Sequence, residues 1–203
     1  MAELAGRFHA HLTVSGDNLN ALAQVCAHLR IKRTIIDLSR DQRSQRDVMT
    51  TAYFADDQPG AVSRIIDLLE VQSRVLADGG FQIVRAKLEH ETLPSLSSYS
   101  EEQYHEVHCK LRLPAPDFEA RRSALQAVVE PIGMVLSRNP YERSEEAVIQ
   151  FANGRIKKGD VAGADAIVAA WEAAIDEGEF ERVETKRETV VFDTHVAHDA
   201  WWA

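Results

Sequence analysis

The sequence predicts an α+β protein in which one βαββαβ plan occurs twice along 203 residues, with antiparallel sheets and helices on one face of each sheet. Three observations support this fold class. Each half begins with a segment of alternating polar and apolar residues, each continues with an amphipathic helical segment, and corresponding segments recur at about half the chain length. We therefore expect two similar units.

The first half contains four strand-like and two helix-like segments. Phe8–Val14 alternates apolar and polar residues, which is typical of a strand with one buried face. The segment Ser15–Asp17 is expected to form a turn and the N-cap of a helix, because apolar residues at helical spacing follow over 19–29. Further strands are expected over 34–38, 47–55 and 81–91, and a second helix follows the turn at Pro59–Gly60.

The second half repeats this order after a Ser-rich stretch. Strands are expected over 104–113, 134–137, 146–152 and from 180 onward, with helices over 116–132 and 161–177. His11 aligns with His108 and Phe81 with Phe180, which indicates a duplicated ferredoxin-like unit. The predicted domains are a first repeat at 1–91, a linker at 92–101 and a second repeat at 102–203 with a Trp-containing tail.

The composition excludes several classes of protein. The 32 acidic and 23 basic residues give a formal net charge of -9, which argues against general nucleic-acid binding through a basic face. Cys26 and Cys109 form no CxxC motif, as is typical of proteins in a reducing compartment. The sequence has no signal-peptide pattern and no apolar run long enough to span a membrane, so we expect a cytoplasmic protein without a membrane partner.

The polar face of each predicted sheet carries histidines, lysines and glutamates. Strand parity places His9, His11 and Thr13 on the uncovered side of the first sheet. The corresponding polar positions elsewhere are Glu106, His108, Lys110, Arg112, Arg85, Lys87, Glu89, Glu184, Lys186 and Glu188. We expect a ligand-binding or assembly protein with a His/Lys/Glu-lined groove between the repeats. The alternative is a polar face that serves only solvation or packing.

One subset of these side chains has the chemistry of a metal site. His9 and His11 are two positions apart on a strand, so their imidazoles point to the same side. Together with Glu106 and His108 they would form a divalent transition-metal site if the two first strands approach each other. The sequence requires no cofactor, and a divalent transition metal is the one that this set of side chains would hold.

A second interpretation rests on a resemblance. His11-Leu12-Thr13-Val14, followed by the helix over 19–29, resembles the H-x-T-x strand of the two-histidine phosphoesterases, in which paired histidines act as general base and acid. The resemblance implies an enzyme for cyclic nucleotides or other phosphoesters with His11 and His108 as the catalytic pair. The ligand-binding residues would be Thr13, Lys87, Lys110, Lys186 and Glu106, although Lys110 stands where the family has a hydroxyl.

A wider resemblance covers most of the chain. It lies in Met49–Thr51, in Leu136–Asn139, and in the C-terminal segment Val190–Thr194 with Asp199–Trp202. These residues resemble a family of uncharacterised bacterial proteins with two tandem ferredoxin-like repeats. The resemblance implies the duplicated fold and carries no activity.

Two further features bear on partners. Arg40, Arg43 and Arg46 lie in one polar loop, and Arg138 and Arg143 lie in the matching loop of the second half. Their recurrence favours a small anionic or phosphorylated ligand at the sheet rim. The C-terminal Trp201 and Trp202 carry large apolar surfaces, which favours docking and, as one alternative, a homo-oligomer such as a dimer.

Overall fold

The computed structural model describes residues 4–16, 18–40, 43–91, 103–157 and 163–198. Within these ranges the chain forms eight strands and four α-helices. Their bounds are β1 Gly6–Ser15, α1 Leu19–Leu29, β2 Lys32–Arg40, β3 Arg43–Asp56, α2 Ala61–Asp78, β4 Gln82–His90, β5 Tyr104–Pro114, α3 Phe118–Val129, β6 Val135–Arg138, β7 Ala147–Ile156, α4 Ala164–Glu177 and β8 Glu181–Asp193. A 3-10 turn, Glu130–Ile132, follows α3.

The strands form a closed antiparallel barrel in the order β1-β3-β2-β6-β7-β5-β8-β4. The prediction of duplicated ferredoxin-like units with open sheets is therefore wrong. The description of the chain as tandem ferredoxin-like repeats is wrong for the same reason. Strands that would lie at the edges of two open sheets are paired with other strands instead. Asp37 of β2 lies opposite Arg138 of β6, and Leu88 of β4 lies opposite Phe192 of β8. Closure satisfies backbone groups that an open edge exposes.

Residue contacts divide the chain into two compact units. The first unit is Met1–Ile35, Asp47–Tyr104 and Glu188–His198, and the second is Ile36–Arg46, His105–Arg187 and Asp199–Ala203. Each unit thus combines segments that are distant in the sequence. The predicted linker at 92–101 and the tail residues Trp201 and Trp202 lie outside the described residues.

The core of the first unit lies between β1 and its helices. Phe8, Ala10 and Leu12 of β1 pack with Leu22 of α1 and Ile65 of α2, all at most 2% exposed. The predicted alternation of β1 is confirmed on this face. The other face was expected to be uncovered, and this is wrong because polar side chains there, such as His9 and Thr13, are also buried.

The core of the second unit is built in the same way from β5, α3 and α4. Cys109 and Leu111 of β5 are fully buried with Leu125 of α3. Trp171 of α4 lies against Gly154 of β7, where a Cβ atom would overlap its ring. The indole Nε1 donates a hydrogen bond to the carbonyl of Ile132 at 2.9 Å, which fixes the ring in this place.

The first helix, α1, has the bounds expected from the helical spacing over 19–29. Asn18 is the N-cap of α1, and its side chain accepts a hydrogen bond from the amide of Ala21 at 2.9 Å. The helix ends at Arg30, which has φ 56°. No helix in the described part of the chain is both long and apolar enough to cross a bilayer.

Candidate metal centre

Three strands bring the candidate ligands of the first unit together. His9 of β1 lies opposite Glu89 of β4 in the antiparallel ladder and opposite Tyr53 of β3 on its other side. β8 pairs with β4 at the neighbouring His90 and Thr189, which brings Glu188 to the same place. Cross-strand neighbours of this kind have adjacent side chains because they share one face of the sheet.

His9 is held between two carboxylates. Its Nε2 lies 2.6 Å from Oε1 of Glu91, and its Nδ1 lies 2.9 Å from Oε1 of Glu188. The imidazole is 6% exposed, and its ring meets the Tyr53 ring edge-on with the centroids 4.6 Å apart. Both ring nitrogens therefore face carboxylate oxygens in a position that excludes most solvent.

The His9, Glu89 and Glu188 side chains form a compact donor set. One ligand atom from each lies within 4.8 Å of the other two, and all three residues are buried. The set offers one imidazole nitrogen and two carboxylate oxygens from three strands. This arrangement is the smallest that can enclose a cation with protein donors on several sides.

Glu89 also contacts nitrogen atoms of two other side chains, those of His11 and Lys87. Nε2 of His11 lies 3.1 Å from its Oε2, and Nζ of Lys87 lies 2.5 Å from its Oε1. The other ring nitrogen of His11 lies 3.1 Å from Oγ1 of Thr51, whose hydroxyl is 2.8 Å from that of Thr34.

A separate buried ion pair lies at the end of β8. Arg85 donates to both oxygens of Asp193, and Tyr104 donates to Oδ2 at 2.9 Å. Burial by itself raises the pKa of Asp193, but the hydrogen bonds and the charge of Arg85 outweigh burial and hold the pKa below its usual range. Thr13, a predicted phosphate ligand, lies opposite Arg85 in the ladder and is 5% exposed.

The predicted site residues of the second unit form their own network. Nδ1 of His108 lies 2.7 Å from Oδ1 of Asn153, and its Nε2 lies 3.6 Å from Oε2 of Glu106. Arg155 donates from Nε and Nη2 to Oε1 of Glu106, at 3.0 and 2.9 Å. Lys110, opposite Phe151 in the ladder, and Lys186 of β8 are both half-buried.

Buried titratable groups outside these networks have shifted pKa values. Burial lowers the pKa of His105 and so favours its neutral form. Burial also raises the pKa of Cys26 and, more than the opposing hydrogen bond from Thr185, that of Cys109. Both thiols are therefore poor nucleophiles at neutral pH.

The sequence identified His9 but not the carboxylates that surround it. Glu89 and Glu188 were expected on the polar faces without being chosen as ligands, and Glu91 was not considered. The available signal was the polar periodicity of the last strand of each half. The pairing of β4 with β8, which the open-sheet prediction did not include, is what makes Glu89 and Glu188 neighbours.

Comparisons with known proteins give distant structural likenesses alone. No protein-family model matches the chain, and no curated protein matches it. A candidate monooxygenase from Fusobacterium nucleatum is 8% identical with a TM-score of 0.32, over 94% of this chain and 93% of that one. An unknown protein from Galdieria sulphuraria is 12% identical with a TM-score of 0.27, over 93% and 100%. Aspartate kinase from Synechocystis is 9% identical with a TM-score of 0.24, over 91% and 43%. At these scores the likenesses carry no argument about activity.

Proposed function

We propose that the first unit binds one divalent transition-metal ion through His9, Glu89 and Glu188. The observation that carries the proposal is the buried donor set itself, with one ligand atom from each residue within 4.8 Å of the others. The three donors come from three paired strands, so the barrel ladder and not a flexible loop fixes their separation.

The donor types select the class of ion. Calcium and magnesium prefer all-oxygen surroundings, whereas an imidazole nitrogen with carboxylates suits zinc, iron, cobalt and manganese. A neutral imidazole and two carboxylates carry two negative charges, which a divalent ion offsets. Glu89 and Glu188 are 2% and 3% exposed, and Glu89 also pairs with Lys87, so protein side chains would surround a bound ion with little water.

Glu91 would orient the imidazole for binding. Its carboxylate lies 2.6 Å from Nε2 of His9, so a proton on Nε2 is donated to Glu91 and the lone pair of Nδ1 is directed to the side of Glu188. Carboxylates that hold a metal-binding histidine in this way are a recurring feature of metal sites. The side chain of Glu91 is 24% exposed and Tyr53 is 64% exposed, which gives an ion a route from solvent.

The test is zinc retention after equilibrium dialysis, measured by elemental analysis of the full chain. The parent protein should retain one zinc per chain, and His9→Gln and Glu188→Gln should each bind zinc at least about tenfold more weakly, because each removes one of three ligands. Asp47→Asn is the matched control, since Asp47 is a buried carboxylate 3.1 Å from a different imidazole, that of His198. It should bind zinc as the parent does.

Two outcomes would overturn the proposal. One is a parent protein that retains no stoichiometric zinc, which would leave His9 as part of an ion-pair network. The other is equal retention by Glu188→Gln and Asp47→Asn. If a variant does not fold by circular dichroism, a cobalt titration of the parent decides instead, because a four- or five-coordinate protein site gives intense visible bands, whereas six-coordinate surface cobalt absorbs only weakly.

We also propose a cytoplasmic location. Cys26 and Cys109 are both buried free thiols, which supports a reducing compartment. Fractionation of cells that express the full chain tests this directly, and recovery from an oxidising compartment would contradict it.

A further inference from the structure

The second unit contains a pocket of about 530 Å³ that no part of the proposed metal centre uses. Its size is typical of sites for small molecules. Its walls come from β2, β3, α3, β6 and β7, and its polar side chains include Asp37, Ser39, Arg46, Arg122, Arg138 and Gln150. All of these belong to the second unit.

Two of the three arginines share one carboxylate. Arg46 donates from Nε and Nη2 to the two oxygens of Asp37, at 2.6 and 3.0 Å. Nε of Arg138 lies 3.8 Å from Oδ2 of the same residue. One negative charge therefore faces two guanidinium groups, and the side of the pocket at Asp37 keeps a net positive charge.

Arg122 has no carboxylate partner among the described residues. Its one hydrogen bond there is from Nη2 to the hydroxyl of Ser39. Glu119 lies one helical turn earlier and also lines the pocket, yet the two side chains form no ion pair in the described part of the chain. Within the described residues, Arg122 therefore has guanidinium N–H groups without an acceptor, which suit a planar or tetrahedral anion.

Gln150 supplies a second, independent indication of a ligand. The residue is 1% exposed and lines the pocket. Its Nε2 donates to the carbonyl of Ser137 at 2.7 Å, and because a carbonyl can only accept, this contact fixes which end of the amide is oxygen. The buried Oε1 has no hydrogen-bond partner among the described residues. A buried acceptor left in this state is costly, so a donor from a ligand would be favourable here.

We propose that this pocket binds a small organic anion that also carries a hydroxyl or amino group. The anionic group pairs with Arg122, and the hydroxyl or amino hydrogen is donated to Oε1 of Gln150. Carboxylates and phosphates share this chemistry, and matched probes of each kind separate them. The proposal does not depend on metal binding in the first unit, because the two donor sets share no residue.

The test uses two pairs of probes that differ in a hydroxyl group, followed by NMR titration of the full chain. Malate is compared with succinate, and 2-hydroxypropyl phosphate with propyl phosphate. In the pair with the correct anionic group, the hydroxylated member should bind about tenfold more tightly, which corresponds to one hydrogen bond to a buried acceptor. The pair that binds identifies the anion as carboxylate or phosphate.

Variants assign the binding to the pocket. Arg122→Met should weaken both members of the binding pair at least about tenfold, because it removes the charge that pairs with the anion. Arg121→Met is the matched control on the same helix, since Arg121 instead donates to the carbonyl of Glu179 and lies over the ring of Phe180. Gln150→Met should remove the preference for the hydroxyl while anion binding remains.

Several results would overturn the proposal. These are no binding of any probe at millimolar concentration, equal effects of Arg122→Met and Arg121→Met, or equal affinity for the two members of each pair in the parent protein. If Gln150→Met does not fold, the parent comparison within each pair still decides the role of the hydroxyl. Zinc retention is measured separately, so either proposal can fail alone.

Discussion

Arg85 and Asp193 form a two-point ion pair inside the first unit, with Nε 2.9 Å from Oδ1 and Nη2 2.5 Å from Oδ2. The two side chains are 5% and 0% exposed, and Tyr104 hydrogen-bonds to both of them. The pair joins β4 to the end of β8. The first unit includes only the Glu188–His198 part of this end of the chain. The contact between Arg85 and Asp193 is one of the interactions that hold the end of β8 in place.

The Asp193 carboxylate should make stability depend on acid pH. Its folded pKa is lowered, so the ionised form stabilises the fold above the unfolded pKa of about 3.9, and this contribution is lost as pH falls through the folded pKa. Asp193→Asn should lower the free energy of unfolding by about 3–5 kcal/mol at neutral pH, because Arg85 stays buried without its counter-ion. Urea unfolding of the parent and of Asp193→Asn at several pH values measures the loss of stability and its pH dependence. A parent-variant difference that stays constant below pH about 3.9 would contradict the assignment.

The free energy of unfolding should also depend on pH through His105, which is a base, whereas Asp193 is an acid. Burial lowers its pKa, so the unfolded chain binds a proton at a pH where the folded protein does not. The free energy of unfolding should therefore fall as pH drops below the unfolded pKa of about 6.5, with a slope of at most about 1.4 kcal/mol per pH unit from this one group. The measurement is the difference between parent and His105→Gln from pH 7 to 5. No change in that difference would show that His105 does not titrate in this way.

Gly154 should not tolerate a side chain. A Cβ atom at this position would overlap the Trp171 ring, which its hydrogen bond to Ile132 holds in place. Gly154→Ala should cost about 1–3 kcal/mol of stability through overpacking and change the tryptophan fluorescence. Gly163→Ala is the control, because its Cβ would meet no described atom within 4 Å. Equal unfolding midpoints for the two variants would contradict the packing described for α4.

Glu91 should affect metal affinity without being a ligand. Glu91→Gln keeps the size of the side chain but weakens its hydrogen bond to Nε2 of His9, so zinc affinity should fall about 10–100-fold. Glu188→Gln should weaken binding further, since a ligand is lost. Competition with a zinc-sensitive dye measures the three affinities. Equal zinc affinity for the parent and Glu91→Gln would show that Glu91 does not orient the imidazole.

Local sequence patterns predicted the individual strands and helices better than the closure of the strands into a barrel. The alternation of Phe8–Val14 identified both β1 and the face of it that packs on the helices, because period two follows directly from strand geometry. It could not show that the opposite face is covered too. That outcome depends on the pairing of β2 with β6 and of β4 with β8, between segments far apart in the sequence.

The residues of the candidate sites also differ in whether the local sequence could predict them. His9 was identifiable from its own strand, whereas Glu188 becomes its neighbour only through the position of β8. The arginines expected in two polar loops favoured an anionic ligand, which stays a prediction. Arg46 and Arg138 lie in β3 and β6 instead, and both line one pocket. Arg122 and Gln150 gave no local signal, because Arg122 lies on an ordinary amphipathic helix and Gln150 is one of several polar residues in β7.

The position of a bound ion is the most direct test of the proposed metal centre. Crystals of the full chain soaked in zinc and measured at the zinc absorption edge would locate it by anomalous scattering. We predict one strong peak about 2.0–2.2 Å from a nitrogen of His9 and from carboxylate oxygens of Glu89 and Glu188. Zinc-soaked crystals with no peak within bonding distance of these three side chains would contradict the proposed centre.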